Sequence, residues 1–184
     1  MQTSIPDNVL MTQVQQGHSE VMGVLFDRYH RVLFQFFFNQ NSDRFLSEDL
    51  VQTVFLRILT YAHSFRGEGE FKQWMFFIAR NVNRDHHKKR GRWKREKIDS
   101  WQDHFGEEPT QATKMESEEE MEQLRQALEQ LPQNQRELLV MSKLQGMKYK
   151  QIGSILGCSE GAVKVKVYRA LKALKQVYSQ IESK

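Results

Sequence analysis

The stretch "YKQIGSILGCSEGAVKVKVYRALKAL", residues 149–174, combines two helical patterns with a three-residue turn between them. Apolar residues recur every three or four positions on both sides of the turn. Gly157 stands where a helix C-terminus favours positive φ, and Ser159 stands where the next helix needs an N-cap. A short helix, a tight glycine turn and a longer lysine-rich helix together predict a helix-turn-helix.

The outer face of the second of these helices is a candidate DNA-reading surface. Val163, Val167, Leu171 and Leu174 must face a core, and this turns the remaining positions toward solvent: Lys164, Val165, Tyr168 and Lys172. Such a face could enter a major groove. The alternative is a solvated lysine face on an ordinary bundle helix, but that alternative leaves the short preceding helix and the Gly-Cys-Ser turn unexplained.

Upstream residues also show helical spacing, and strand signals are scarce. Ser19 and Ser47 are predicted N-caps of two helices, and a third helix is predicted to begin at Phe71 and to project a basic end beyond the core. The buried stripe predicted for the middle helix is Leu50, Val51, Val54, Phe55, Ile58 and Leu59. The predicted fold class is all-α, a helical bundle followed by a C-terminal helix-turn-helix.

Charge divides the chain into segments. Residues 71–97 contain ten Lys or Arg and two acidic residues. Residues 96–122 contain ten acidic residues and two lysines, and residues 143–175 contain eight Lys or Arg and one glutamate. The acidic stretch lacks helical periodicity and contains Gly106 and Pro109. We therefore predict two small domains, 1–95 and 118–184, joined by a flexible acidic linker at 96–117.

Aromatic residues cluster beside the most basic segment, in "YAHSFRGEGEFKQWMFFIARN" at 61–81. Several of these rings belong to the core, but Phe65 lies in a polar, glycine-rich loop and is expected to be exposed. Exposed rings beside cations suit unpaired nucleic acid, because each base has a face to stack and each nucleotide a phosphate to neutralise. The segment is predicted to bind a single strand.

Other classes of protein fit less well. The single cysteine, Cys158, excludes an internal disulfide. No apolar run approaches the ~20 residues that cross a bilayer, and the N-terminus lacks the pattern of a secretory signal. A cytoplasmic protein is therefore expected. Asp85-His86-His87 resembles a metal-dependent phosphoesterase signature, but adjacent helical histidines point about 100° apart and share one ion poorly. We expect no metal, no cofactor and no catalytic site.

Three segments resemble the extracytoplasmic-function (ECF) group of bacterial sigma factors. "EDLVQTVFLRIL" at 48–59 is similar to the family's polymerase-binding helix, and "SFRGEGEFKQWMFFIARNVNRD" at 64–85 is similar to its promoter-melting segment. The segment from Leu128 to Leu174 resembles its C-terminal helix-turn-helix. The resemblance covers about residues 7–95 and 118–178 and implies a factor that binds core RNA polymerase, recognises promoter DNA and answers to an anti-sigma factor.

The resemblance also implies roles for particular residues. Asp49, Gln52 and Thr53 would meet the coiled coil of the polymerase beta-prime subunit, with the beta subunit as a further contact. Phe65 and Asn81 would line the pocket for a base flipped from the minus-ten element. Further DNA contacts would come from these residues: Arg66, Arg84, Lys88, Lys89 and Arg90 near the minus-ten element, and Lys164, Val165, Lys166, Tyr168 and Arg169 at the minus-35 element.

The chain departs from the family at two places. Ala162-Val163-Lys164-Val165-Lys166 replaces the usual Thr-Val-Lys-Ser-Arg, so the bidentate fork of arginine is missing. Gly153 stands where alanine is common, which is expected to reduce helix stability by up to ~1 kcal/mol.

Two other functions remain as alternatives from the residues themselves. The first is a stand-alone repressor or activator that binds twofold-symmetric DNA through the helix-turn-helix, with the N-terminal half as a dimerisation or ligand domain. The second is the phosphoesterase suggested by Asp85-His86-His87.

Overall fold

The computed structural model describes residues 5–96 and 115–182, and every regular element in these ranges is helical. The first four helices are α1 (Asp7–Gln15), α2 (Met22–Asn41), α3 (Arg44–Thr60) and α4 (Phe71–Glu96). We call them the N-terminal bundle. The all-α prediction is confirmed. None of the helices in the described ranges combines the length and the hydropathy that a bilayer crossing requires.

The core of the N-terminal bundle is built from the large apolar residues of α2, α3 and α4. Phe36, Phe37 and Phe76 are completely buried, and the rings of Phe36 and Phe76 meet edge to face at 5.2 Å. Edge-to-face contact is a favoured arrangement of aromatic rings. The predicted stripe of α3 lies in this core except for Leu59, which is exposed because its position is rotated toward the outer edge of the helix.

Both predicted serine caps in this bundle are wrong. A 3-10 turn spans Ser19–Val21, and α2 begins only at Met22. The N-cap of α3 is Asp43, whose carboxylate accepts from the backbone N–H of Leu46 at 2.9 Å. Ser47 lies one turn inside the helix, where it is buried and donates to the backbone oxygen of Asp43. An earlier aspartate thus provides the oxygen acceptor that a helix start requires.

The C-terminal bundle consists of α5 (Met115–Glu129), α6 (Gln133–Leu139), α7 (Tyr149–Leu156) and α8 (Glu160–Glu182). A π-helical turn, Val140–Leu144, extends α6. The predicted linker at 96–117 falls mostly outside the described residues, and α5 begins at Met115 near its end.

The predicted helix-turn-helix is present in α7 and α8. Gly157 ends α7 with φ of 67°, and the hydroxyl of Ser159 accepts from the backbone N–H of Ala162 at 3.2 Å. Val163, Val167 and Ala170 bury one face of α8. The turn chemistry predicted from Gly157 and Ser159 is therefore confirmed, and it fixes the direction in which the outer face of α8 points.

The two bundles pack against each other. One apolar cluster includes Phe36 and Phe76 of the N-terminal bundle and Met141, Ile152 and Val163 of the C-terminal bundle. A smaller cluster of the C-terminal bundle, around Leu128, Leu131, Leu139 and Ala170, is separate from it. The two bundles of the described chain therefore share one apolar core.

Candidate nucleic-acid and protein interfaces

The outer face of α3 is a mixed polar and apolar surface. Asp49 and Gln52 are exposed and Thr53 is half-buried, so the structure places the three predicted polymerase-binding residues on one accessible side. Leu56 lies seven residues after Asp49, on the same side of the helix, and 64% of its surface is exposed. Phe45, at 66% exposure, extends the face by one turn. A large exposed leucine among polar side chains is typical of a binding surface.

Sequence reasoning missed Leu56 and Phe45 as surface residues. The signal was present for Leu56, because this leucine falls outside the buried stripe of its own helix. An apolar residue on the polar face of an amphipathic helix indicates that something else covers it.

The expectation that Phe65 is exposed is wrong. Its ring is only 7% exposed and packs against Phe71 and Trp74, with ring centroids 6.2 and 5.2 Å away. The side chain of Gln15 donates to the backbone oxygen of Phe65 at 2.6 Å. The loop is polar in sequence, but α1 and α4 close over its one aromatic residue. Phe65 therefore lies beneath the protein surface, where it packs against the first turn of α4.

Asn8 of α1 also fixes this loop. Its Nδ2 donates to the backbone oxygen of Gly69 at 2.9 Å, and its Oδ1 accepts from the backbone N–H of Phe71 at 2.9 Å. The second bond satisfies a free donor at the start of α4. A residue more than sixty positions away in sequence therefore holds the entrance of α4, and no local pattern could have indicated it.

One face of α4 carries aromatic rings, then an amide and then cations, in that order along the helix. Trp74, Phe77, Asn81, Arg84 and Lys88 succeed one another at spacings of three or four residues, which places them on one side of a helix. We call this set the α4 stripe. Phe77, Arg84 and Lys88 are exposed, whereas Trp74 and Asn81 are half-buried. Rings at one end and cations at the other match the requirements of an unpaired strand.

A solvent-accessible cavity lies at the aromatic end of the α4 stripe. It holds about 300 Å³ and is lined by the loop at 64–70, by Trp74 and Phe77, and by Ser154 and Ile155 of α7. Arg66 is exposed at its edge. Phe65 also lines the cavity but is only 7% exposed, so Trp74 and Phe77 offer a base more accessible ring surface than Phe65 does.

Lys89 and Arg90 do not join the α4 stripe. Both are exposed, but they follow Lys88 by one and two positions and therefore point about 100° and 200° away from it. They add positive charge to the helix without lying on the face that holds Trp74 and Asn81.

The outer face of α8 is as exposed as predicted. Val165 is 49% and Tyr168 69% exposed, and Lys164 and Arg169 are exposed beside them. Lys166 is also exposed, but its Nζ lies 4.0 Å from Cys158 Sγ, toward the turn. The structure thus groups four of the five predicted residues on one face and separates Lys166 from them.

Asp85, His86 and His87 are not arranged as a metal site. The carboxylate of Asp85 pairs with Arg57 at 2.8 Å, and the two imidazole rings are nearly perpendicular at 80°. Across the described residues, no three His, Cys, Asp or Glu side chains converge on a common point. These residues instead belong to the packing between helices.

The two histidines are expected to be neutral in the folded chain near pH 7. Burial lowers the pKa of both His86 and His87. For His87 the pKa is lowered further by His86 when that ring is protonated, and by the positive charges of Arg90 and Arg136. Asp43 opposes the shift at His86. His87 lies where α4 approaches Arg136 of α6, so its protonation would add a positive charge at the junction of the two bundles.

Acidification is therefore expected to destabilise the chain through His87. Because its pKa is lower in the folded state, the unfolded state takes up more protons as pH falls below about 6.5, and the free energy of unfolding declines until the folded pKa is passed. Urea unfolding at pH 7.5 and 5.5 should show a larger decline for the unaltered chain than for His87→Gln. The exposed His63→Gln is the control, and an equal pH dependence in H87Q and the unaltered chain would contradict the prediction.

Comparison with known proteins gives consistent results for both bundles. The family model "Sigma-70 region 2" matches residues 25–92, and "Sigma-70, region 4" matches residues 121–174. The ECF RNA polymerase sigma factor EcfG of Rhodopseudomonas palustris is 36% identical over 134 residues, covering 73% of this chain and 71% of its own. The ECF RNA polymerase sigma factor SigX of Bacillus subtilis is 29% identical over 161 residues, covering 85% and 83%.

Two solved structures resemble the fold. The sigma factor RpoE from Bartonella quintana, in complex with the anti-sigma factor NepR, has a TM-score of 0.71 at 25% identity and covers 85% of this chain and 96% of its own. CnrH, in complex with the cytosolic domain of CnrY, has a TM-score of 0.72 at 22% identity and covers 95% and 97%. The second likeness concerns the fold alone.

Proposed function

This chain belongs to the ECF RNA polymerase sigma factors, and from that premise we propose the surfaces through which it directs promoter-specific transcription. Each of the two bundles has its own binding functions. Residues 1–95 form the domain that binds core polymerase and the minus-ten element, residues 118–184 form the domain that binds the minus-35 element, and residues 96–117 link them. The matches to sigma-70 regions 2 and 4 support this division.

The outer face of α3 docks on core RNA polymerase. Asp49, Gln52 and Thr53 supply polar contacts to the beta-prime coiled coil, as the family resemblance implies, and Leu56 supplies apolar area in their midst. An apolar residue surrounded by polar ones is a common centre of binding energy in protein interfaces.

The α4 stripe captures the unpaired strand of the minus-ten element. This proposal depends on one observation above all, the succession from accessible rings through Asn81 to Arg84 and Lys88 on one helix face. A base that leaves the duplex would stack near Trp74 and Phe77 in the cavity beside Arg66, while its backbone meets the cations. Lys89 and Arg90 contribute to the surrounding positive potential.

The outer face of α8 recognises the minus-35 element in the major groove. Lys164 and Arg169 suit phosphate and base-edge contacts, and Val165 and Tyr168 suit apolar contact with thymine methyl groups. Lys166, which points toward the turn, suits a backbone contact better than base readout.

We further propose that the chain performs no chemistry itself and needs no cofactor, because the polymerase supplies catalysis. Its place of action is the cytoplasm, where promoter DNA and polymerase are found in bacteria. An anti-sigma factor is a proposed partner, supported by the complex of the Bartonella relative with NepR. The relatives do not favour the stand-alone repressor or the phosphoesterase.

The direct test mixes the purified chain with bacterial core polymerase from which sigma factors have been removed. Co-elution, followed by transcription that starts at defined positions on genomic fragments of the source organism, is the expected result. Failure to bind core, together with tight duplex binding by the chain alone, would replace the sigma function with the repressor or activator.

Replacement of Asn81 by alanine tests strand capture. We expect open-complex formation on a duplex promoter to fall about tenfold, the equivalent of ~1.4 kcal/mol, because one polar contact to the flipped base is lost. Core binding should be unchanged. Permanganate reactivity of promoter thymines measures opening. Asn39→Ala, which removes the same amide from α2, is the control, and equal loss of opening and core binding in N81A would contradict the role. Phe65→Ala is a poor test because removing a buried ring destabilises the loop.

A further inference from the structure

The first helix, α1, is anchored to the N-terminal bundle by apolar and polar contacts. Leu10 and Met11 are completely buried in the bundle core. The carboxylate of Asp7 accepts from Arg28 Nη1 at 2.6 Å and from the hydroxyl of Tyr29. Burial and the bond to Asp7 raise the pKa of Tyr29, so its hydroxyl keeps the proton that it donates. The helix α1 is therefore a fixed support for the side chains that it carries.

Two polar side chains of α1 reach the loop between α3 and α4. Gln15 donates from Nε2 to the backbone oxygens of Ala62 at 2.9 Å and Phe65 at 2.6 Å. Asn8 makes its two bonds at the opposite end of the loop, next to the start of α4. Because Asn8 and Gln15 are seven residues apart, they lie on one side of α1, about 10 Å apart along its axis. The loop is thus held at two points by one helix, an arrangement that we call the α1 clamp.

The residues between these two points have little structure of their own to hold them. Residues 66–69 are exposed, and within the described ranges their backbone N–H groups make no hydrogen bond to a backbone oxygen. The segment contains Gly67, with φ of 70°, and Gly69, and glycines give a free loop access to many conformations. These same residues line the cavity beside Trp74 in which a base is proposed to stack. The shape of that wall therefore depends on contacts from outside the loop.

These contacts give α1 a part in strand capture. We propose that Asn8 and Gln15 are positioning residues for the base that leaves the duplex. The α1 clamp holds residues 66–69 in the conformation that lines the cavity beside Trp74, and neither side chain needs to contact the strand. The proposal rests on the function proposed above for the α4 stripe.

A preformed loop favours capture because ordering a mobile loop opposes binding. If only a fraction of the molecules holds the loop in the competent conformation, the apparent affinity for the strand falls by that fraction. The clamp acts on the loop, whereas α3 and α4 are held together by the buried residues of the bundle core. Loss of the clamp should therefore weaken capture of the base and leave the binding of α3 to core polymerase unchanged.

The first measurement is the mobility of the loop in the free chain. Gln15→Glu removes both donors of Gln15 and keeps its shape, and Asn8→Ala removes both bonds of Asn8. Nitrogen-15 relaxation should give order parameters near about 0.85 for residues 66–69 in the unaltered chain and below about 0.6 in each variant. Gln16→Glu is the matched control, because it places the same charge on the next residue, which is exposed at the same end of α1. Unchanged order parameters in both Q15E and N8A would overturn the proposal.

The second measurement asks whether the clamp acts on the captured base. Holoenzyme made with sigma-free core polymerase is titrated with the fluorescein-labelled non-template strand of a promoter identified by transcription. Each minus-ten base is replaced in turn by an abasic site, and loss of the captured base should weaken binding to the unaltered holoenzyme about tenfold. With Q15E, the intact strand should bind about fivefold more weakly, and the abasic site should then cost less than about twofold. Such non-additivity indicates that Gln15 and the base act through one contact.

A clamp that only attaches α1 to the bundle would give a different result. Q15E would then weaken binding to the intact and abasic strands equally, and that outcome would overturn the proposal, as would a mobile loop with native affinity for the intact strand.

Asn8→Asp checks the other end of the loop. It keeps the acceptor for the backbone N–H of Phe71 but loses the donor to Gly69, so it should free residues 66–69 less than N8A does. Circular dichroism shows whether each variant folds, and because the variants break the clamp at two separate points, one that fails to fold leaves the other to decide. The order parameters require neither polymerase nor DNA, so failure of the unaltered chain to bind core would count against the proposed function alone.

Discussion

Replacing Leu56 by arginine is expected to reduce the affinity of the chain for core RNA polymerase about a hundredfold. Leu56 is 64% exposed and lies on the same face of α3 as Asp49 and Gln52. Covering a leucine completely contributes about 1.5–3 kcal/mol, and a hundredfold change corresponds to ~2.7 kcal/mol. Arginine would also bring an unpaired charge into the contact. The effect therefore requires that the polymerase cover Leu56 almost entirely.

The fold should tolerate this change, because surface substitutions away from buried features usually alter stability by less than ~0.5 kcal/mol. Equilibrium titration of dye-labelled chain with sigma-free core polymerase gives the affinity, and thermal unfolding gives the stability. Val9→Arg, at 47% exposure on α1, places the same charge at another exposed apolar position. If L56R binds core polymerase with native affinity, or if L56R and V9R lose equal affinity for it, Leu56 is not part of the interface.

Replacing Gly153 by alanine is expected to destabilise the chain by about 1–2 kcal/mol. The expectation from sequence had the opposite sign, since alanine is the better helix former by up to ~1 kcal/mol. In the structure, however, Gly153 is buried, and a Cβ there would lie 2.6 Å from the backbone oxygen of Cys158. That oxygen belongs to the helix-turn-helix turn and cannot move as a flexible side chain does. Overpacking of this kind costs about 1–3 kcal/mol, which exceeds the gain in helix propensity.

Gly161→Ala is the matched comparison for this effect. Gly161 is also helical, but it is exposed, and a Cβ at this position meets nothing within 4 Å. Here only helix propensity acts, so alanine should stabilise the chain by about 0.5–1 kcal/mol. Urea unfolding of the two variants should give changes of opposite sign. A stabilising G153A would mean that the turn adjusts freely, and would restore the expectation from sequence.

Much of the molecule follows from local patterns in the sequence. Apolar spacing predicted α2, α3 and α4 and most of the buried faces of α3 and α8, because a helix places every third or fourth residue on one side. Two residues predicted to be buried are exposed instead, Leu59 of α3 at 42% and Leu171 of α8 at 37%. Gly157 and Ser159 predicted the turn between α7 and α8, because positive φ and N-capping are properties of single residues in their immediate context. The exposed positions of Lys164, Val165, Tyr168 and Arg169 follow from the same periodicity.

Other features depended on residues that only folding brings together. Phe65 is buried because Gln15 and Trp74 contact it within a loop whose sequence is polar. Position 153 requires a glycine because the backbone oxygen of Cys158 lies too close to leave room for a Cβ. The Arg80–Glu137 pair joins positions 57 apart in sequence, and the Arg136–Gln40 contact joins positions 96 apart. The sequence by itself therefore determined the helices, their faces and the family, since these depend on short-range periodicity and capping. Which aromatic rings are accessible, and which residues of the C-terminal bundle lie beside them, was decided by long-range packing, which no local pattern encodes.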